Sequence, residues 1–122
     1  MKAKISELLN TNEMWGELLA GKINGAVGLK VAEIVREIGY KLETFEKRRA
    51  KLIEDAGGKF NEETKELEFK DEAEETRVKE EFQEMVDSEV DLHCRQLTET
   101  DLEKINIEPG KILGILWAIE KQ

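Results

Sequence analysis

Between Asn24 and Ala56 the positions Val31, Val35, Ile38, Leu42, Phe45, Arg49 and Leu52, all apolar but Arg49, recur at alternating spacings of four and three, with Val27, Ile34 and Ile53 widening the stripe. This is the period of one helix with a single apolar seam, ended at Gly57-Gly58. A helix over 24–56 spans on the order of 50 Å, more than a small globule needs. The seam therefore has to meet another long element of the chain or a second copy. Residues 1–21 carry apolar pairs at helical spacing, interrupted by Asn10-Thr11-Asn12, which predicts two short helices. Thr11 or Asn12 would cap the second, and Gly21 would end it in the left-handed conformation. Lys2 to Ile5 reads alternatively as a short edge strand.

Leu67 and Phe69 alternate with charged residues, so 57–71 reads as a small β-hairpin or a structured loop. Asp71 is placed to cap a second helix, 72–90, whose Val78, Phe82, Met85 and Val86 form a narrower stripe. Antiparallel return along the first helix would bring Glu72, Glu74 and Glu75 near Lys47, Arg48, Arg49 and Lys51. Val90, Leu92 and Cys94 alternate in an extended arm or strand, and Thr98 with Asp101 three places on resembles a capping box. Residues 91–108 are then an arm with one helical turn. Pro109 suits the first turn of a last helix, 109–120, whose Ile112, Leu113, Ile115, Leu116, Trp117 and Ile119 are apolar almost all round and should be buried. The expected architecture is a single mainly α domain, 1–122: a long antiparallel helical hairpin, short flanking helices and a minor β element.

Composition narrows the function classes. The 122 residues hold one His, one Cys and one Pro, with a formal net charge of −9. One Cys cannot form an internal disulfide, and one His leaves no zinc-type cluster, so neither a metal nor any other cofactor is expected. No apolar run reaches the roughly 20 residues that cross a bilayer. The start of the chain has no leader-like stretch, which gives a cytoplasmic expectation with no membrane partner. The acidity is local. Residues 1–61 are net +2, 62–91 net −10 and 92–122 net −1. A chain this acidic, with no basic cluster larger than Lys47-Arg48-Arg49-x-Lys51, is not expected to bind nucleic acid directly.

Three constellations could carry chemistry. The turn at Asn24, Gly25 and Gly28 could cradle phosphate at a helix start, although it matches neither the P-loop nor the dinucleotide fingerprint; close helix packing explains it as well. Lys47, Arg48, Arg49 and Lys51 could hold an anion or a partner, and Arg49, on the seam, wants a carboxylate. His93 and Cys94 are neighbours whose side chains would diverge on a strand, so no catalytic pair forms. No enzyme motif is present. Leu42, Phe45, Leu113, Leu116 and Trp117 are the candidate self-association residues, because so small a domain can hardly cover both the seam and the C-terminal segment; a dimer is the first expectation.

The order of segments resembles a family of small proteins of unknown function encoded by tailed phages and prophages of Gram-positive bacteria. The resemblance rests on Ile5-Ser6-Glu7-Leu8-Leu9-Asn10, on Gly28-Leu29-Lys30-Val31-Ala32, on the segment Leu42 to Ile53, on the variable charged insert after it, and on Gln96 to Pro109. Relatives often have Pro near the helix start where this chain has Asn24-Gly25. The resemblance implies a non-enzymatic accessory protein acting by protein contact and self-association, in the cytoplasm or the virion, with a phage or host protein as partner. It brings no active-site residues. Two alternatives stand beside it: a counter-defence protein that sequesters a nucleotide signal at a subunit interface, and an acidic inhibitor that imitates nucleic acid.

Overall fold

The computed structural model describes residues 1–23 and 25–120. Its elements run β1 (Lys2–Lys4), α1 (Ile5–Ala20), α2 (Gly25–Asp55), β2 (Lys59–Asn61), β3 (Glu66–Glu68), α3 (Glu72–Asp87), β4 (Glu89–Asp91), α4 (Glu99–Glu103), α5 (Pro109–Ile112) and a closing 3-10 segment, Leu113–Ala118. The fold is mainly α, as the periodicity predicts. Helix α2 buries Val27, Val31, Ile34, Ile38 and Phe45, following the spacing of four and three. It stops where Gly57 takes φ +70° and the Gly58 N–H donates to the Ile53 carbonyl at 2.9 Å.

The expected break in the N-terminal segment does not occur. Helix α1 is continuous over 16 residues, because the Thr11 hydroxyl turns back to donate to the Glu7 carbonyl at 2.7 Å instead of capping a new start. Its apolar face continues across the polar triplet through Leu8 and Trp15, both fully buried. Gly21 ends the helix with φ −78°, extended and not left-handed. Strand β1 pairs antiparallel with β4, Ala3 opposite Val90, which ties the two ends of the helical region together.

The seam of α2 is covered chiefly by α1, not by α3. Helix α3 packs more lightly, with the Phe45 and Phe82 rings 5.8 Å apart. The expected charge match between the helices is also absent among the described residues. Arg49 pairs with Glu46 (3.4 Å) and Lys47 with Glu43 (3.1 Å), while Arg77 pairs with Glu74 (2.7 Å) and Lys79 with Glu75 (3.2 Å). Each cation finds a carboxylate one turn away on its own helix, nearer than any across the interface.

The C-terminal segment differs from the single helix expected over 109–120. After one α turn it tightens to 3-10, with Ile115 at φ −121° and ψ 20°. The chain then bridges in parallel to Leu97 through Ile119, with the Leu97 N–H on the Ala118 carbonyl at 2.7 Å. A 3-10 turn repeats every three residues. It therefore sends Ile115 and Ala118 inward, both fully buried, and leaves Leu113 at 73% and Leu116 at 55% exposed.

Candidate functional site

The glycine turn is closed upon its own chain. Asn24 lies outside the described residues. Gly25 opens α2 with φ +61°, and a Cβ on Gly28 would lie 2.9 Å from the Ile23 carbonyl oxygen. Glycine at 28 thus lets the preceding strand of chain lie against the helix, the close-packing reading of this turn.

Below the turn, one edge of α2 grips the arm that follows β4. The Glu37 carboxylate, on a buried residue, accepts the His93 backbone N–H at 2.7 Å. Arg95 grips both oxygens of Glu33, at 2.6 and 3.2 Å. Lys30 donates to Asp101 at 2.7 Å, and Asp101 also closes the capping box with Thr98 (2.9 and 3.1 Å). The Lys30 ammonium, then the Thr98 N–H, hold the Asp101 carboxyl below the usual carboxylate range. The Arg95 hydrogen bond lowers Glu33 in the same way. Cys94, inside this grip, is a neutral thiol: burial first and the Glu37 charge second push it up to about 11. The arrangement holds the arm in place and keeps the Cys94 thiol protonated at neutral pH. Pattern reading missed it, although Lys30, Glu33 and Glu37 share one helix face beside the apolar seam, the one signal that could have revealed it.

The four basic residues of 47–51 do not act together. Lys47 is an exposed partner of Glu43. Arg48 and Lys51 line a narrow cleft of about 140 Å³ facing Arg77 and Glu81 of α3. Arg49 turns to the other side and borders a groove of about 790 Å³ between the end of α2 and the β2–β3 hairpin. That groove has an apolar floor from Ile53, Phe60 and Leu67 and a rim of Arg49, Lys59 and Lys65 against one carboxylate, Glu54. Phe60 stands opposite Leu67 in the hairpin register and is 60% exposed.

The candidate self-association residues divide in two. Phe45 is buried within the chain, Leu42 packs against the core, and Trp117 lies against Trp15 with ring centroids 5.8 Å apart. The indole N–H groups of that pair have no hydrogen-bond partner among the described residues, so packing alone holds it. Leu113 and Leu116 remain free to meet another molecule. Leu116 borders a depression with Lys2, Gln96 and Glu120, whereas a separate one of about 450 Å³ runs between α1 and the C-terminal segment, lined by Glu13, Glu17 and Lys111.

The class these features define is a helical protein with exposed apolar side chains at both ends and, among the described residues, no group of three His, Cys, Asp or Glu placed to hold a metal ion. No described helix is long and apolar enough to cross a membrane. Comparison with family models, curated proteins and solved structures finds no match to this chain.

Proposed function

We propose that this chain is a non-enzymatic accessory protein of a phage or prophage that works by protein–protein contact and self-association, in the host cytoplasm or in the virion. The observation that carries the contact reading is the exposure of Leu113 and Leu116 on a segment whose other face is packed. Two large apolar side chains one 3-10 turn apart form a patch that water solvates poorly and a second surface would cover. The phage setting rests on the resemblance in segment order alone. The nucleotide alternative has less support within one chain: Gly25–Gly28 and Arg48–Arg49 are separated by about 30 Å along α2, so such a site needs two copies to assemble. The mimicry alternative rests on the net −10 of residues 62–91, of which Arg77 and Lys79 pair only Glu74, Glu75 and Glu81 on α3.

Light scattering during size exclusion tests the contact reading directly. The wild type is expected to run above the 14.0 kDa of one chain at tens of micromolar. A Leu113→Glu/Leu116→Glu variant, altered only at exposed positions, should run as one chain with an unchanged circular dichroism spectrum. A wild type of one-chain mass at every concentration would overturn it.

A further inference from the structure

We infer that the side chains of α2 that grip the 93–101 arm also position the C-terminal contact face, so that Leu113 and Leu116 are presented by way of Lys30, Glu33 and Glu37. The inference rests on the self-association proposed above for that face and adds what controls it. Among the described residues, every hydrogen bond that ties 113–120 to an earlier part of the chain goes to Gln96 or Leu97. The Leu97 N–H donates to the Ala118 carbonyl and the Glu120 N–H to the Leu97 carbonyl, both at 2.7 Å. The Gln96 amide donates to the Trp117 carbonyl at 3.1 Å. Against α1 the segment has packing instead, Trp117 on Trp15, with neither indole N–H partnered among the described residues. Apolar burial is non-directional. It holds the segment to the core through Ile115 and Ala118, while the directional bonds to Gln96 and Leu97 fix which residues face outward.

The arm that offers those bonds is in turn held from α2. Among the described residues, no backbone group from His93 to Gln96 is bonded to the backbone of another element. What fixes this stretch is the Glu37 carboxylate on the His93 N–H at 2.7 Å and the Arg95 fork on Glu33 at 2.6 and 3.2 Å, with Lys30 on Asp101 at 2.7 Å closing its far end. Lys30, Glu33 and Glu37 share one face of a single helix, and every one of these contacts involves a charged group, the stronger kind of hydrogen bond. The contacts are contiguous, from α2 to the arm, from the arm to the 3-10 segment, and along that segment to the two leucines. A loss at the first is felt at the last.

Native-state hydrogen exchange in dilute protein tests this with variants of α2, which leave the arm and the C-terminal sequence intact. The amides of Leu97 and Glu120 report the bridge. In Lys30→Met, which removes the ammonium and keeps the aliphatic stem, and in Glu37→Leu, which strips the His93 N–H of its acceptor, both amides are expected to exchange faster, on the order of tenfold or more, the scale of one lost hydrogen bond to a charged group. Glu37→Gln, whose amide oxygen still accepts the His93 N–H, should retain slow exchange. Glu33→Ala and Arg95→Ala should each speed the bridge by less, their pair being partly exposed, and the double variant should go no further than either one. If Glu37→Leu does not fold, Lys30→Met and Arg95→Ala carry the same test. Bridge amides that keep the wild-type rate while the melting temperature falls overturn the inference, since the grip would then stabilise the fold without positioning the segment. In light scattering, Lys30→Met should associate more weakly than the wild type although both leucines are intact, and association at full strength also overturns it. A wild type that never exceeds one chain overturns the self-association reading itself, and the exchange rates then decide the positioning by themselves.

Discussion

Asp101 is the residue on which most of the arm's attachment converges. Its carboxylate takes the Lys30 ammonium at 2.7 Å and the Thr98 N–H at 2.9 Å, and the side chain is only 11% exposed. Both interactions favour the charged form, so the folded protein titrates Asp101 below the value near 3.9 of an unfolded chain. Between those two values the unfolded state binds more protons, and stability rises with pH. The contribution is complete above the unfolded value and is lost as pH falls through the lower, folded one. Replacing Asp101 by Asn should cost roughly 1.5 to 3 kcal/mol at neutral pH, the scale of a hydrogen bond to a charged group. Urea midpoints of the two proteins should differ by a constant amount above about pH 5 and converge below the carboxylate range near 4. Parallel curves down to pH 2 would show that the carboxylate's charge contributes nothing.

At the scale of elements, what the pattern of residues discloses is what neighbours in sequence decide. The Asp71 cap on Glu74 (2.9 Å), the Thr98–Asp101 box, the stop at Gly57 and the Phe60–Leu67 hairpin depend on contacts a few residues apart. Each was legible. The 3-10 form of Leu113–Ala118 depends on distant partners, Trp117 packing on Trp15 and the parallel bridge from Ile119 to Leu97. The grip on the arm joins residues 56 to 71 positions apart, which no local period records. For the candidate site the result is the same: Arg49, Leu113 and Leu116 were named, whereas Lys59, Phe60 and Lys65 were not, since only the fold brings the hairpin beside Arg49. Glycine shows how one element carries both kinds of information. In α2, a Cβ at Gly39 meets nothing within 4 Å, whereas at Gly28 it meets the Ile23 carbonyl at 2.9 Å. Gly39→Ala should therefore stabilise the protein by about 0.5 to 1 kcal/mol through helix propensity. Gly28→Ala should destabilise it by about 1 to 3 kcal/mol, because backbone must shift to admit the methyl group. Thermal melts that moved in the same direction would remove the close-packing account of this turn.

The whole molecule is a core with a second, distal arm, made of the second half of α2, the hairpin and the first half of α3 and distinct from the gripped 93–101 segment. The contiguous apolar core runs from Ala3, Leu8 and Trp15 through Val31, Ile34 and Ile38 to Leu92, Leu97 and Ile115, and Phe45 with Phe82 are its outermost members toward the hairpin. Between Phe45 and Phe82 the chain adds no residue to it, although Ala56 and Val78 are buried locally. The second half of α2, the hairpin and the first half of α3 therefore stand on each other alone. Few buried apolar groups hold them, and their ion pairs, such as Lys47–Glu43 and Lys79–Glu75, are largely solvent-exposed, each contributing about 0 to 1 kcal/mol. Local opening of the arm should be much easier than global unfolding. Native-state hydrogen exchange should thus divide α2, a single unbroken helix, into two regimes. Amides from Val31 to Leu42 should exchange with the free energy of global unfolding, together with those near Leu8 and Trp15, and amides from Arg49 to Asp55 and from Ala73 to Val78 should exchange several kcal/mol more readily. Uniform protection along α2 at low concentration would mean that the arm is part of one cooperative unit with the core.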